Sequence, residues 1–501
     1  MAHARDLLEA LRSQGAMIER LSADSRRCAP GVAFLAYPGE SADGRAHIDD
    51  ALRRGAAAVL WEQQGFSWRA GPRVPNVAVR GLRERAGELA SELYGAPSRA
   101  LWMCGVTGTN GKTTCSQWIA ASLEHKGVRT GVLGTLGAGF PGRLEPLANT
   151  TPDAVEVHAS LKKLRDEGAR AAVMEVSSHG LVQGRVNGVA FDCALFTNLS
   201  HDHLDYHGTM ERYAEAKGRL FDTPGLGTAV LNLDDFVGVR LAKRLGARGL
   251  RTIGYSLSPS AVAPGSVSEF VAAAAIEENA VLLASSWGER RVAMRQLTRF
   301  GVSNALGVLG CLVAYGLPFD EAAECLERLP AVPGRMEPVL ERPLVVVDYA
   351  HTPDALEKVL LALRPLAHSR GGRLVAVFGA GGDRDPAKRP VMGAVAARLA
   401  ERVVLTSDNP RSEDPIAIIG AIAEGMDALP EVEPDRSRAI EQALAQSDPA
   451  DVVLIAGKGH ESYQEFAGRR LPFSDREAVL AAAAKMGAAQ GTRGAGTRGA
   501  P

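Results

Sequence analysis

The segment Met103–Thr114 contains the residues whose types and spacing best suit a chemical reaction; it reads Met-Cys-Gly-Val-Thr-Gly-Thr-Asn-Gly-Lys-Thr-Thr. The apolar run Ala100–Met103 predicts a buried strand before it, and apolar positions from Cys115 to Leu123 predict a helix after it. In such a glycine-rich turn, backbone N–H groups approach phosphate oxygens, a lysine reaches the terminal phosphates and a threonine hydroxyl can bind Mg²⁺. The sequence therefore predicts a nucleoside-triphosphate site, formed by Gly108, Thr109, Asn110, Gly111, Lys112, Thr113 and Thr114.

The spacing of this turn departs from the common phosphate-binding pattern. Gly105 and Gly111 lie six positions apart where that pattern needs five, and Val106 occupies the slot of the usual first glycine. The alternative interpretation is a turn that only opens a helix. The run Gly-Lys-Thr-Thr favours the nucleotide site, because it supplies both an ammonium group and a hydroxyl for the phosphates and Mg²⁺.

Length and composition indicate a globular α/β protein of about three domains. The chain has 501 residues, of which 46% are hydrophobic and 23% charged, and its net charge is −1. Such a balance argues against a general nucleic-acid binder, and the absence of any run of about twenty apolar residues argues against membrane insertion. The six cysteines are scattered without paired or metal-like spacing, so we expect free thiols in a cytoplasmic protein.

Residues 1–98 predict a small α/β domain. Turn residues alternate there with short apolar runs, followed by a helix candidate at 47–54 and a strand candidate at 57–61. On its own, Asp24-Ser25-Arg26 predicts only a turn with an exposed ion pair.

Residues 99–333 predict a nucleotide domain built on a parallel sheet. Strand candidates at 171–176 and 194–196 are each followed by polar residues, and such strand ends converge on the ligand crevice of an open parallel sheet. Glu175, Asp202 and His203 are therefore expected to face the phosphates. The His- and Asp-rich segment 201–207 could instead bind zinc, but its lack of thiolates and its phosphate-loop companion favour Mg²⁺. Lys217 lies on a predicted helix, 211–221, where a lone lysine is normally solvated.

Residues 334–487 predict a second doubly wound sheet. Four apolar strand candidates (344–348, 374–378, 402–405 and 452–456) alternate with helical stretches, and each ends in polar or glycine-rich sequence. These strand ends define one binding face. Residues 488–501 repeat Gly-Thr-Arg-Gly-Ala and predict a disordered tail.

Several motifs in this order resemble the Mur ligases of peptidoglycan synthesis, and the resemblance extends from Asp24 to about Arg476. It implies a small N-terminal α/β domain for the uridine nucleotide (1–98), a central P-loop ATPase-like parallel-sheet domain (99–333) and a C-terminal Rossmann-like domain (334–487). The motifs are Gly-Thr-Asn-Gly-Lys-Thr-Thr, Glu175-Val-Ser-Ser-His-Gly180, Asn198-Leu-Ser-His-Asp-His-Leu-Asp-Tyr-His-Gly208, Asp348-Tyr-Ala-His-Thr-Pro353 and Gly381-Gly-Asp-Arg-Asp385.

The resemblance also implies a reaction. It is strongest to the branch that adds meso-2,6-diaminopimelate to UDP-N-acetylmuramoyl-L-alanyl-D-glutamate, with ATP as co-substrate, Mg²⁺ as cofactor and an acyl phosphate as intermediate. Lys112, Glu175, His203 and Lys217 are the implied catalytic residues. Lys217 matches a lysine that is carbamylated to N6-carboxylysine, which with Glu175 and His203 would hold one Mg²⁺, while Thr113 would hold another. We expect a monomer.

Binding residues follow position by position from the same resemblance. Arg411 would hold the distal carboxylate of diaminopimelate, although Asp408-Asn-Pro-Arg411 alone predicts only a turn. Gly301 stands where the family often has an asparagine near adenine, so contacts there rest on Asn304. The implied residues are Asn304 and Arg335 for ATP; Ser25, Glu40, Ser41, Ala42, Asn149, Thr150, Thr151, Ser177, Gln183 and Arg185 for the UDP-substrate; and Arg389, Asp408, Asn409, Pro410, Arg411, Gly457 and Glu461 for diaminopimelate.

Three alternatives stay open at this stage. The same ligase could use L-lysine, or the chain could be a ligase similar to folylpolyglutamate synthases, which leaves the first domain and Asp408–Arg411 unexplained. A non-catalytic nucleotide switch is the third alternative. A ligase should release phosphate only when acceptor and amine are both present, whereas a switch should hydrolyse ATP slowly regardless.

Overall fold

The computed structural model describes residues 3–40, 42–68, 74–294 and 298–494, with side chains up to residue 486. The chain divides into two compact units. The first comprises Met1–Leu199, Glu211–Leu297 and Gly301–Leu329, and the second comprises Ser200–Met210, Thr298–Phe300 and Pro330–Pro501. Within the described ranges, no helix is both long enough and apolar enough to cross a membrane.

The first part of the chain forms a four-stranded parallel sheet. Its strands are β1 (Arg20–Ser22), β2 (Val32–Ala36), β3 (Ala58–Glu62) and β4 (Asn76–Val79), and its helices are α1 (Ala4–Ser13), α2 (Ile48–Arg53) and α3 (Leu82–Leu93). The strand order is β1-β2-β3-β4. Strands β2 and β3 are buried at every position, as expected where both faces of a parallel sheet are covered.

The middle of the chain forms an eleven-stranded sheet. Its strands are β5 (Trp102–Thr107), β6 (Thr130–Gly134), β7 (Gly137–Phe140), β8 (Arg143–Glu145), β9 (Ala171–Glu175), β10 (Cys193–Phe196), β11 (Thr228–Asn232), β12 (Arg251–Ser256), β13 (Glu269–Ile276), β14 (Ala280–Ser285) and β15 (Gly288–Ala293). The helices in this stretch are α4 (Lys112–His125), α5 (Ala154–Asp166), α6 (Ser178–Val182), α7 (Leu204–His207), α8 (Met210–Gly218), α9 (Phe236–Gly246), α10 (Arg299–Tyr315) and α11 (Phe319–Leu326).

This sheet is parallel at its centre and antiparallel at both ends. The strand order is β15-β14-β13-β12-β11-β10-β5-β9-β6-β7-β8, and the pairs among β13, β14 and β15 and among β6, β7 and β8 are antiparallel. The predicted parallel sheet therefore describes only its middle. Strand β5 extends to Thr107, beyond the predicted Ala100–Met103, because Cys104–Thr107 are buried between β9 and β10.

The last part of the chain forms a six-stranded sheet. Its strands are β16 (Glu337–Glu341), β17 (Leu344–Asp348), β18 (Leu374–Phe378), β19 (Arg402–Leu405), β20 (Glu431–Val432) and β21 (Val452–Ala456), followed by a hairpin of β22 (Tyr463–Phe466) and β23 (Arg469–Pro472). Its helices are α12 (Pro353–Ser369), α13 (Lys388–Leu399), α14 (Pro415–Ala423), α15 (Arg436–Ala445) and α16 (Asp475–Gly494).

All four strands predicted from this region are present at the predicted positions, as β17, β18, β19 and β21. The order is β16-β17-β21-β18-β19-β20, and every pair is parallel except β16 with β17. The carboxyl ends of the parallel strands therefore lie at one edge of the sheet, as the sequence predicts. Helix α16 extends to Gly494, into the segment whose composition predicts a tail.

Candidate functional site

The predicted phosphate loop lies between β5 and α4, at the centre of the eleven-stranded sheet. Gly108 and Gly111 have φ angles of 149° and 86°, a region that L-residues with side chains rarely adopt. A Cβ at Gly108 would lie 1.8 Å from Thr197 Oγ1, and one at Gly111 would lie 2.5 Å from Asn304 Oδ1. Both positions therefore require glycine, and the backbone of the loop lies in close contact with Thr197 and Asn304.

Lys112, Thr113 and Glu175 meet at the start of α4. The Lys112 ammonium donates to the carbonyl oxygens of Gly108 and Thr109, both at 2.9 Å. Thr113 Oγ1 donates to Glu175 Oε2 at 2.9 Å, and Glu175 is fully buried at the end of β9. A buried carboxylate beside a hydroxyl is a pair of oxygen ligands of the kind that Mg²⁺ prefers.

Thr135 completes the surroundings of the Glu175 carboxylate. Its backbone N–H donates to Oε1 at 2.9 Å and its hydroxyl donates to Oε2 at 3.0 Å. These bonds fix the carboxylate at the edge of the phosphate loop.

Lys217 is buried against the phosphate loop. Only 1% of the residue is exposed, so the interpretation as a solvated lysine on a helix face is wrong. Its ammonium donates to Gly108 O at 2.8 Å and lies 4.4 Å from the centre of the Tyr213 ring. The Tyr213 hydroxyl is in turn 3.2 Å from Thr109 Oγ1. Helix α8 thus presents a lysine to the same loop that Lys112 contacts.

Asn198 is a loop-positioning residue that the sequence analysis did not assign. Its Oδ1 accepts from the Asn110 backbone N–H at 3.0 Å, and its Nδ2 donates to Asn110 O at 3.1 Å. Its carbonyl also accepts from the Thr109 N–H at 2.8 Å. Its position in the sequence could have identified it, because Asn198 follows β10 at the strand end where ligand-binding polar residues were expected.

The remaining nucleotide candidates of this unit are on helices beside the loop. Asn304 is 8% exposed on α10, and its amide adjoins Gly111. Thr114 is half-buried in the first turn of α4.

The predicted acceptor-binding residues of the middle region form a hydrogen-bonded network around Thr151. The Thr151 hydroxyl donates to Glu175 O and accepts from the Ser177 N–H, both at 2.9 Å. Arg185 donates to Thr151 O at 2.7 Å and to Gln183 Oε1 at 2.8 Å. Thr150 Oγ1 lies 3.1 Å from Thr135 Oγ1, and Asn149 is exposed next to it.

The predicted uridine-nucleotide residues lie in the first part of the chain. The Ser25 hydroxyl donates to Asp50 Oδ2 at 2.9 Å, and this bond is the main reason that the pKa of Asp50 is below its usual value. Glu40 accepts from Arg83 at 2.7 Å, and Ala42 O accepts from the Gly39 N–H at 2.8 Å. Ser41 lies outside the described residues.

His203 and Arg335 belong to the second compact unit, whereas Glu175 and Lys217 belong to the first. The His203 N–H donates to Asp202 Oδ1 at 2.9 Å, and the ring Nε2 is 3.3 Å from Asp202 Oδ2. The Arg335 guanidinium stacks 4.3 Å from the centre of the Tyr349 ring.

Asp408, Asn409 and Glu461 form the base of the predicted amino-acid pocket. Asp408 and Asn409 are 7% and 3% exposed. Asn409 Nδ2 donates to Glu461 Oε2 at 2.8 Å. Gly457 has a φ of 116°, and a Cβ there would lie 2.4 Å from Asp408 Oδ2, so only glycine allows this close approach.

Arg411 has a positive φ of 54° and is held by backbone contacts on two sides. Its N–H donates to Glu465 O at 2.9 Å, and its Nη1 donates to Gly382 O at 2.6 Å. Its Nε is 3.8 Å from Glu465 Oε2. Pro410, which precedes it, packs against Gly382, where a Cβ would lie 1.9 Å from Pro410 O.

Lys458 is a second residue that the sequence analysis missed. It is fully buried, and its ammonium donates to Asn409 Oδ1 at 3.0 Å and to Glu461 Oε2 at 2.8 Å. It therefore links two predicted pocket residues. Its position between Gly457 and Glu461, which were both predicted to bind diaminopimelate, could have identified it.

Arg389 is paired with an acidic residue that was not predicted. Its Nη2 donates to Glu413 Oε1 at 2.8 Å, and the guanidinium is the main reason that the pKa of Glu413 is lowered. The Arg389 Nε is buried and has no hydrogen-bond partner among the described residues.

Three family profiles match the chain in sequence order. They are the Mur ligase family catalytic domain over residues 17–94, the Mur ligase middle domain over 106–312 and the Mur ligase glutamate ligase domain over 334–459.

Individual relatives match almost the whole chain. The chain is 50% identical over 469 residues to the UDP-N-acetylmuramoyl-L-alanyl-D-glutamate--2,6-diaminopimelate ligase of Chromobacterium violaceum, covering 93% of this chain and 94% of that protein. A solved structure of an enzyme with the same name is 36% identical, with a TM-score of 0.64 over 94% of this chain and 95% of that one. The MurF ligase of Thermotoga maritima, solved with ADP, shares the fold at 20% identity and a TM-score of 0.63, covering 94% and 98% of the two chains.

Proposed function

Because this chain belongs to the Mur ligase family, we propose that it joins meso-2,6-diaminopimelate to UDP-N-acetylmuramoyl-L-alanyl-D-glutamate in an ATP-dependent ligase reaction. The observation that carries this proposal is 50% identity, over nearly the full length of both chains, to an enzyme of that name. The same activity accounts for a buried phosphate loop and a separate pocket of charged and amide side chains. The three domains proposed for this task are residues 1–98, 99–333 and 334–487.

The first step activates a carboxylate, which is a poor acyl donor. The γ-phosphoryl group of ATP passes to an oxygen of the D-glutamyl side-chain carboxylate, and ADP is the leaving group. Backbone N–H groups of the loop from Gly108 to Gly111 bind phosphate oxygens, and Lys112 releases its intraloop carbonyl contacts to offset the charge that develops.

Mg²⁺ fits the donor set at this loop, since the Thr113 hydroxyl and the buried Glu175 carboxylate both supply oxygen ligands. Glu175 would hold one Mg²⁺ together with His203 and with Lys217 as N6-carboxylysine, and Thr113 would hold another. Carbamylation replaces an ammonium group with a carboxylate-like one, which explains why a lysine is useful so close to the phosphates. When bound, the cation neutralises phosphate charge.

The second step forms the amide. The amine of diaminopimelate attacks the acyl carbon, a C–N bond forms, phosphate leaves with the C–O electron pair and the nitrogen loses a proton. We assign recognition of the distal end of diaminopimelate to Arg411 for its carboxylate and to Asp408 and Asn409 for its ammonium group. Arg389, Gly457 and Glu461 complete the proposed pocket.

Arg411 accounts for the choice of amine. Lysine lacks the distal carboxylate and would leave Arg411 with only its contacts to Gly382 O and Glu465. By analogy with truncated charge pairs, this costs about 2–5 kcal/mol, which corresponds to well over tenfold discrimination.

The test is ATP-dependent phosphate release with the UDP-muramoyl dipeptide, comparing meso-diaminopimelate with L-lysine. We expect release that requires the dipeptide and is strong only with diaminopimelate. Equal or better use of lysine would refute the role of Arg411 while retaining a ligase. Slow release that is independent of both dipeptide and amine would instead indicate a nucleotide switch.

A further inference from the structure

Three buried cysteines meet beneath the phosphate-loop strand. Cys104 on β5 and Cys193 on β10 are register partners in neighbouring parallel strands, so their side chains lie on the same face of the sheet. Cys311 on α10 packs onto that face, and all three residues are completely buried. Cys104 and Cys311 are 207 positions apart in sequence, which is why the spacing of the cysteines gave no sign of this cluster.

The sulfur atoms are spaced as ligands of one metal ion would be. Cys104 Sγ and Cys311 Sγ are 4.0 Å apart, and all three sulfurs lie within 4.8 Å of one another. Three thiolates at about 2.3 Å from a central ion in a trigonal plane would be about 4.0 Å apart. Only small side-chain movements therefore separate the observed arrangement from a three-coordinate site.

The ligand chemistry selects the kind of ion. Among the described residues, this is the one group of three His, Cys, Asp or Glu side chains whose donor atoms converge so closely, and it contains sulfur only. Thiolates favour soft ions, above all Cu(I), which accepts three sulfur ligands, whereas Mg²⁺ requires oxygen. The surrounding core is largely apolar and includes Val106, Leu195 and Val308.

We propose that Cys104, Cys193 and Cys311 form a binding site for one soft, thiophilic metal ion, with Cu(I) as its best occupant. Binding as three thiolates replaces three S–H bonds by three Cu–S bonds and releases three protons, with no change in oxidation state. The occupied site would connect the strand that leads into Gly108 with the helix that carries Asn304. It would therefore stabilise the folded enzyme and report on the packing beneath the nucleotide site.

Anaerobic titration of the reduced full-length protein with Cu(I), held by a weaker colorimetric chelator, tests the proposal directly. We expect one equivalent to transfer to the protein and the thermal unfolding temperature to rise. X-ray absorption of the wild-type complex should give three sulfur neighbours at about 2.3 Å. This measurement does not depend on whether any variant folds.

The variants C104A, C193A and C311A should each lose the equivalent of bound Cu(I). C325A is the matched control, because Cys325 is also a buried cysteine, on α11, but its sulfur donates to Ser122 O outside the cluster. Failure to take Cu(I) from the chelator, two sulfur neighbours in place of three, retention of the ion by the C193A variant or a preference for Zn²⁺ would each overturn the proposal.

Discussion

Lys217 illustrates how burial changes the chemistry available to one side chain. Its ammonium contacts Gly108 O inside the molecule, where an unmodified cation would sit beside the phosphate loop. We expect K217A to lower kcat by roughly 10²–10³-fold, because the metal-binding group proposed to lie next to the transferred phosphoryl group is lost. Steady-state kinetics check this value, with K243A at an exposed lysine of α9 as control.

The chemical state of Lys217 has an independent readout. Wild-type protein equilibrated with ¹³C-bicarbonate should give a carbamate resonance that K217A lacks and K243A retains. A K217A variant with wild-type kcat would contradict the assigned role, whatever the resonance shows.

Lys458 links two side chains of the proposed amino-acid pocket. Replacing it by methionine preserves much of its volume but removes the bonds to Asn409 Oδ1 and Glu461 Oε2. Bonds to charged groups contribute about 1.5–3 kcal/mol, so we expect KM for diaminopimelate to rise by roughly 10–100-fold while KM for ATP stays unchanged. The exposed K485M is the control. Equal increases in both KM values would indicate general misfolding in place of a pocket effect.

At the scale of elements, the junction of β5 with α4 depends on Gly111. An alanine at position 111 would be unfavourable for two reasons. The left-handed backbone conformation costs about 1–2 kcal/mol for a residue with a side chain, and its Cβ would clash with the buried Asn304 amide. Gly127, just beyond the other end of α4, has a similar φ of 78° but nothing within 4 Å of its Cβ position. We expect G127A to lower stability only, and G111A also to weaken ATP binding by about tenfold or more.

Calorimetric ATP titration and thermal unfolding of both variants separate the two costs. If G127A weakened ATP binding as much as G111A, backbone strain alone would explain the effect, and Asn304 would have no part in it.

A buried ion pair and an exposed ion pair both join helices α15 and α16, which makes a matched comparison possible. The buried Arg436 donates two hydrogen bonds, of 2.7 and 2.8 Å, to the buried Asp475. The Lys485 ammonium lies 2.7 Å from Glu441 Oε2, and both of these side chains are largely exposed. D475N removes the carboxylate that is paired with the buried Arg436 guanidinium, which should cost about 3–5 kcal/mol. E441Q should cost about 1 kcal/mol or less. Urea unfolding measures the change in the free energy of unfolding for both variants. Similar losses would show that the buried pair contributes no more to stability than the exposed pair.

The sequence predicts elements well where burial is continuous along the chain. The apolar runs of β17, β18, β19 and β21 identified a parallel sheet, since strands covered on both faces must be apolar throughout. Two strands at the antiparallel ends of the large sheet escaped prediction for lack of an apolar run: β7 (Gly-Ala-Gly-Phe) has almost no apolar signal and β15 (Gly-Glu-Arg-Arg-Val-Ala) is largely polar.

Site prediction depended on a different kind of information. Residue types alone predicted a phosphate loop between β5 and α4, because glycine and lysine at these positions have a direct physical role. The burial of Lys217 and the meeting of Cys104 with Cys311 depend on which elements pack together, and no local pattern contains that. The resemblance to a known family supplied Lys217 but not Lys458 or the cysteine cluster.

At the scale of the whole molecule, the first and middle parts of the chain are packed together through the loop at Asn187. His158 Nε2 is 2.9 Å from Asn187 O, and Asn187 Nδ2 donates to Glu84 O at 2.8 Å. A Cβ at Gly87 would lie 2.0 Å from Asn187 O, so α3 approaches this loop as closely as a glycine permits. The protonation state of His158 therefore bears on packing between these two parts of one compact unit.

Burial lowers the pKa of His158 below its usual value, and its Nδ1 has no hydrogen-bond partner among the described residues. The neutral ring is thus preferred in the folded state, while the unfolded chain takes up a proton near pH 6.5. The resulting stability is complete above pH 6.5 and declines as the pH falls from there to the pKa of the folded state, by at most about 1.4 kcal/mol per pH unit.

We expect H158Q, whose amide can still donate to Asn187 O, to lose this dependence. The free energy of unfolding, measured in urea at intervals from about pH 7.5 to 5, should fall less steeply than in the wild type. The same substitution at the exposed His125 is the control and should leave the slope of the wild type unchanged. Parallel profiles for H158Q and wild type would mean that other groups set the acid sensitivity of this unit, and that the buried imidazole serves only as a packing and hydrogen-bonding group.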